Sequence, residues 1–448
     1  MGLPITTVNL TLRTATISRA GFGTPIFISS HNSFIGRVRS YTSLSAVGED
    51  FSTQHPAYIA ARGVFSSTPS VTTFKVGRRA TTSNSLLPQN VVTGSTHSVT
   101  VTVDDGNVVV ASYVASGGDT ELEVATAIAS AINGDAPVAA KVTATVVGAG
   151  TAAVIQMVKV GATDDYAVTD ISNLGESFVT VESAEDVLAA TTEEDGDFYF
   201  ILADDHTQAF VLAMAAATQA LEKLYFFSSQ EVGSINSAYS IASADTSAKI
   251  KQSSFSRTAD MWDESADTDY PECAYVGKNA PYSPDRNAVV WDGLQLAGVD
   301  VAKNPLGNEI TATQQNNLIA RNASFVLTTR AGTRILGGKT GSGEWIDNIR
   351  TLDTIAARIR EDQDVKLMNQ AGKKVGGGKA GIVSLEGILQ GSLNPFVESK
   401  ALSSYSTNSS KASVDTSTRS LSGMEFTAFL EGATIRVVID GSLQNQEV

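Results

Sequence analysis

Gly332 to Thr340 reads Gly-Thr-Arg-Ile-Leu-Gly-Gly-Lys-Thr, one residue away from a phosphate-binding loop. That loop needs a glycine, four residues and then Gly-Lys-Ser/Thr, so that consecutive N–H groups curl around phosphates and the lysine reaches the β/γ oxygens. Counting back from Gly338, the required first glycine falls on Thr333. Such a loop must also join a strand to a helix N-terminus. Here Arg334-Ile-Leu supplies strand-favouring residues instead. The pattern predicts a hairpin, with Phe325–Thr329 and Thr333–Leu336 turned by Arg330-Ala-Gly.

Other chemistry is sparser. Phe198 to Asp205 is an apolar strand ending in two aspartates, the form that orients Mg²⁺ in nucleotide-binding proteins, but it precedes the glycine loop, the reverse of the usual order. His31, His55, His97 and His206 fall in different segments without metal-ligand spacing. No Gly-x-Ser-x-Gly elbow occurs. Cys273 is the one cysteine, so no intramolecular disulfide forms, and its neighbours offer no base. Asp260, Asp263, Glu264, Asp267 and Asp269 read as a solvated acidic loop. These features argue against an enzyme and against a bound cofactor or metal. The alternative reading is a nucleotide-dependent enzyme centred on Lys339.

The chain has 448 residues, enough for several domains, with 42 % hydrophobic content and a net charge of −15. That acidity disfavours nucleic acid and anionic membrane surfaces as partners. No apolar run approaches a membrane span, and the start lacks a charged leader with an apolar core, so a chain made without a signal peptide is expected.

The elements that would position any site suggest mixed α/β and α+β architecture in several domains. Val8, Leu10 and Leu12 alternate with polar residues in an N-terminal strand over 1–20. Segments 21–92 and 182–310 form a middle α/β domain. Within it lies a strand at Pro25–Ser29, and a βαβ unit runs from Phe198 through a helix at Thr207–Lys223 to a strand at Leu224–Phe227. Residues 93–181 read as an inserted ββαββ outer domain, with Asp105-Gly106 as a hairpin turn. The stretch 230–310 is loop-rich. Residues 311–422 form an inner domain with a long amphipathic helix marked by Ile349, Leu352, Ile355 and Ile359 and a Ser/Thr-rich linker at 403–422. A terminal hairpin and strand occupy 423–448, where Ile435, Val437 and Ile439 alternate with Arg436 and Val438.

Strands at both ends either pair with each other within one chain or add to the sheet edges of neighbours, and head-to-tail exchange that does not close yields a helical lattice. Residues 330–379 hold ten basic side chains against six acidic ones within an acidic chain. That local excess marks a docking face for an acidic partner.

Arg37-Val-Arg-Ser-Tyr-Thr-Ser-Leu, then Asp50-Phe51, Pro56-Ala-Tyr, Phe65 and Lys75-Val-Gly-Arg-Arg, resembles the N-terminal part of contractile phage tail sheath proteins. Gly341-Ser-Gly-Glu-Trp-Ile-Asp-Asn-Ile-Arg-Thr-Leu resembles the family's glycine turn and long helix. Asp415-Thr-Ser-Thr-Arg419 and Gly432-Ala-Thr-Ile-Arg-Val-Val-Ile-Asp-Gly resemble its linker and closing strand, although Thr434-Ile-Arg stands where the family often has Ile-His.

The resemblance implies a virion protein that polymerises as stacked hexameric rings around an inner tail tube and contracts to drive that tube through a host envelope. Implied partners are further copies of itself, the tail tube protein, and baseplate and tail terminator proteins, with no nucleic acid and no membrane insertion. It further implies Val8, Leu10, Leu12, Ile435, Val437 and Ile439 as exchanged strands, and Arg350, Arg358, Arg360 and Lys366 as a basic row facing the tube. An adhesin or receptor-binding module over 93–181 is the other structural reading.

Overall fold

The computed structural model describes residues 21–180, 182–369, 379–415 and 420–432. The chain opens with β1 (Pro25–Ser30), β2 (Val38–Tyr41) and β3 (Phe74–Arg79). A second group comes next: β4 (Thr81–Pro88), β5 (Thr96–Val103), β6 (Val108–Val114), β7 (Val142–Val147), β8 (Val154–Lys159), β9 (Tyr166–Ser172) and β10 (Leu174–Thr180). The first sheet then resumes with β11 (Phe200–Ala203), β12 (Leu224–Ser229) and β13 (Thr258–Trp262). The remaining strands are β14 (Phe325–Thr329), β15 (Gly332–Leu336), β16 (Leu402–Asn408), β17 (Ser413–Asp415), β18 (Ser420–Ser422) and β19 (Glu425–Leu430).

The central sheet has the order β13-β12-β11-β1-β3-β2, parallel throughout except for β2. β11 and β12 read Phe-Ile-Leu-Ala and Leu-Tyr-Phe-Phe-Ser-Ser and are buried at every position, as a parallel sheet covered on both faces requires. One face packs with Ala184–Asp195 and Gln208–Thr218, through Val187, Leu188, Val211 and Met214. Ser183 caps the first of these helices, its Oγ accepting the Asp186 amide at 3.1 Å. The other face meets Pro56–Val64 and Pro271–Asn279. These two helices touch backbone to backbone: a Cβ on Gly277 would stand 2.7 Å from Val64 Cα, so only glycine fits there.

The expected hairpin exists as β14–β15, and the long helix runs from Ile346 to Asn369. Neither belongs to a separate inner body. Val326, Ile335, Ile346, Ile349 and Ala357 share one core with β1, β11 and β12. The helix is tied to the sheet by charge as well. Asp353, fully buried, accepts from Arg257 Nη1 and Nη2 at 2.7 and 2.9 Å and from the Tyr199 hydroxyl at 2.7 Å.

The inserted unit is larger than its sequence pattern suggests. β4 belongs to it, in a sheet of order β10-β4-β8-β7, and β6-β5-β9 forms its second sheet. Both close over the Glu121–Gly134 helix through Val124, Ile128 and Ile132 in a core of their own. The Asp105-Gly106 turn forms as expected, with Gly106 at φ +83°. Val168 N bonds Asn32 O at 2.6 Å and Arg78 reaches Asp165 at 3.0 Å, so the unit is pinned to the central sheet.

Two further corrections concern loops. Residues 230–310 hold β13 and the Pro271–Asn279 helix, and the described part of 403–422 holds β17, β18 and most of β16 rather than a linker. β16 pairs antiparallel with β19 from Leu402↔Leu430 to Asn408↔Glu425. A helix at Lys379–Glu398, which the sequence pattern does not announce, lays Leu389, Leu393 and Phe396 beneath that pair, with Ile355 and Ile359 of the long helix.

Removing one partner of a buried ion pair costs about 3–5 kcal/mol. Asp353→Ala is therefore expected to lower unfolding free energy by about 3 kcal/mol or more in urea titration, with a loss below about 1 kcal/mol contradicting the role given to this carboxylate.

Candidate functional site

Three places in the fold carry chemistry: the glycine segment, the carboxyl edge of the central sheet, and the region where the two ends of the described chain converge. At the first, β15 is followed by Gly337 and Gly338, at φ +147° and +84°. Their amides are already engaged, Gly337 N donating to Asp292 Oδ1 at 3.2 Å and Gly338 N to Ser324 Oγ at 3.1 Å. Lys339 Nζ lies 4.8 Å above the Trp345 ring. Thr340 is fully buried, its amide bonded to Glu344 O. This geometry builds a turn into the long helix and offers no cradle of free N–H groups.

Ligands of doubly wound sheets bind outside the carboxyl ends of the strands, where strand order reverses. In this sheet the reversal lies between β1 and β11. Side chains fill it. Asp204 accepts Ser30 N at 3.0 Å and is pushed up to about 6 by burial. Asp205 accepts from Arg79 at 2.8 Å. His206 donates to Asp267 Oδ1 at 3.0 Å and to Glu272 Oε1 at 3.2 Å, and Ser228 Oγ bonds the other Glu272 oxygen. Burial alone would lower the His206 pKa, but Glu272 and Asp267 outweigh it and raise it to about 10. No spacing in the sequence signals this cluster, because its members come from three separate segments.

The acidic run is divided: Asp267 and Asp269 are exposed, while Asp260 and Asp263 are internal. Asp260 and Asp263 are 4 % and 3 % exposed, raised by burial to about 7 and 6, and they accept from Ser229 and from Ser265. Glu264 accepts Lys303 N, and Asp269 pairs with Arg62. Among the described residues, no group of three His, Cys, Asp or Glu side chains is arranged to hold a metal. His31 and His55 do meet, with ring centroids 6.1 Å apart, and burial lowers both. Cys273 is fully buried and its thiol is pushed up by burial.

The arginines of the expected basic row on the long helix have partners within the chain. Arg350 is 2 % exposed and clamps the carbonyls of Asn279, Ala280 and Phe22 at 3.0, 2.9 and 3.3 Å. Arg358 pairs with Asp285 at 2.6 Å, and Arg360 donates to the fully buried Glu222 at 2.7 Å. These three guanidinium groups hold the subunit together, and only Lys366 of the four is left half-exposed without such a clamp among the described residues. The strand residues Val8, Leu10, Leu12, Ile435, Val437 and Ile439 lie outside the described residues.

The third place is where the two described chain ends come close. Phe22 O rests on Arg350, and Glu431 N bonds Ala401 O at 3.2 Å. Arg350 and Glu431 line one cavity of about 210 Å³. Beside it the β16–β19 pair is two strands wide among the described residues, so each strand presents one unpaired edge. One face packs through Tyr405, Phe426 and Ala428, while Phe429 on the other is 57 % exposed. A two-stranded ribbon of this kind is marginal without packing, and its edges accept further strands.

No family model matches the chain, and no curated protein matches its sequence. Solved structures do match. A subunit of the anti-feeding prophage helical sheath in its contracted state aligns over 98 % of this chain and 98 % of its own, at 11 % identity and a TM-score of 0.51. The chain shares the fold of that contracted sheath subunit. A sheath tail protein from Listeria innocua aligns over 94 % and 97 % at 11 % identity and a TM-score of 0.49. A chain of the anti-feeding prophage baseplate in its contracted state aligns over 100 % and 99 % at 13 % and 0.47. No helix among the described residues is long and apolar enough to cross a membrane.

His206 gives a pH test. Its folded pKa exceeds the ordinary 6.5, so its contribution to stability is fully present below pH 6.5 and fades as pH rises through about 10. The stability difference between wild type and His206→Gln should be largest near pH 6 and shrink by pH 10 in paired urea titrations. A difference that grows with pH would contradict the assignment.

Proposed function

We propose that the chain is the structural subunit of a contractile tail sheath. Copies polymerise as stacked hexameric rings around an inner tube, and a shift between two lattices drives that tube forward. The observation that carries this reading is the sheath fold matched over nearly the full length of both chains. The filled crevice between β1 and β11 and the engaged glycine amides agree with a role in which binding surfaces, not a reaction centre, do the work.

The strands at 1–20 and beyond Gly432, in the C-terminal 423–448 arm, act between copies on this reading. β16 and β19 expose edges beside the place where both segments leave the described body. A neighbour's Val8–Leu12 or Ile435–Ile439 strand would extend that ribbon by backbone hydrogen bonds, with alternate aliphatic side chains setting the register. Exchange from both ends links each copy to others without closing, which generates a helix. Contraction then draws on differences between interfaces and needs no nucleotide. The tube, baseplate and tail terminator proteins are the further partners, and the tail of a particle is the location.

Deleting 1–18 or 433–448 should leave a folded monomer that forms no tubes by electron microscopy and sedimentation, with circular dichroism unchanged in shape. Tubes from both truncated chains would remove strand exchange from the account.

A further inference from the structure

A cavity lies at the convergence of the described chain ends. It lies between residues 282–291, the first turns of the long helix and the Lys400–Ala401 end of β16. Tyr282, Val290 and Trp291 give it an apolar wall. One polar group in that wall is left unmatched among the described residues, and a carboxylate also lines the cavity. Trp291 is 1 % exposed, yet its Nε1–H meets no acceptor. Asp347 is mostly buried, which pushes it up to about 6, and its carboxylate takes a hydrogen bond from its own backbone amide. A buried donor left unmatched destabilises the subunit until something covers it.

The occupant is indicated by where the described chain stops. Glu431 is itself part of the cavity, and Gly432 is the next and last described residue. The chain continues as Ala433-Thr-Ile-Arg-Val-Val-Ile-Asp440, with aliphatic side chains at alternate positions and Arg436 as the one cation after Gly432. An extended chain advances at most about 3.6 Å per residue, so Ile435 stays within roughly 14 Å of Glu431. The N-terminal segment is a poorer match, because Phe22 turns away against the Tyr199 ring at 4.8 Å and does not line the cavity.

We propose that in the unassembled subunit this cavity holds the chain's own segment 433–440, with Ile435 or Val437 against Val290 and Trp291 and Arg436 facing Asp347. The inference rests on the sheath reading for its purpose. A docked segment cannot add to a neighbour's ribbon, so an incoming copy must displace it, and assembly in free solution is held back until it does.

The test uses the full-length chain at low concentration. Ala288 is exposed at the cavity mouth, and the buried Cys273 stays out of the reaction. Ala288→Cys combined with Ile435→Cys or with Val437→Cys should close an intramolecular disulfide, seen as faster migration without reductant. Mixing chains that carry Ala288→Cys alone with chains that carry Ile435→Cys alone should give no cross-linked dimer. A dimer from the mixture, or no disulfide from either double variant whose circular dichroism matches wild type, overturns the proposal. The reading is taken on monomers, so a chain that never forms tubes would remove the sheath account while leaving this result to stand or fall alone.

Discussion

At the amino end of the central sheet, Asp353 has no exposed surface and is shared by Arg257 and Tyr199. Such a carboxylate is tolerable only while both partners are in place, since an unpaired buried charge is strongly destabilising. The arrangement therefore dictates where the long helix lies. One turn earlier, Arg350 fixes the same helix to Asn279, Ala280 and Phe22, and further on Arg358 and Arg360 fix it to Asp285 and Glu222. With the helix held, its later residues Ile355 and Ile359 offer an apolar seat for the Lys379–Glu398 helix, and that pair of helices carries the β16–β19 ribbon.

This chain of dependence has a mechanical sense. On the proposed reading, a subunit that changes neighbours must transmit force without changing its own shape, and packed, ion-paired elements do that better than loops. On the proposed reading the ribbon edges, unpaired among the described residues, are where other copies add. The side chains that fill the β1–β11 crevice stiffen the sheet in the same way, where another doubly wound protein would leave room for a ligand.

Much of the central sheet was legible because burial on both faces writes uninterrupted apolar runs, as in β11 and β12. The β14–β15 hairpin was legible because Arg334-Ile-Leu could not serve a phosphate loop. β13 was not, since Thr258 and Asp260 break its apolar run and are accommodated only by neighbours such as Ser229. β16 looked like a Ser/Thr linker because its outer face is polar, and the decision to be a strand comes from Leu389, Leu393 and Phe396 beneath it. The internal pairing of the basic row was hidden for a related reason. Counting charge along a helix cannot reveal that Glu222 and Asp285 wait in distant segments to receive it. The His206 cluster, assembled from three segments, left no spacing to read.

The central claim is that this fold exists to build a helical lattice of itself. Electron microscopy of the purified full-length protein, concentrated until it polymerises and reconstructed helically, tests it most directly. The account predicts hollow tubes in which each β16–β19 ribbon continues into strands from neighbouring copies. Particles that remain monomeric at every concentration and in the presence of a preformed tube, or a lattice in which the ribbon edges face solvent, would contradict it.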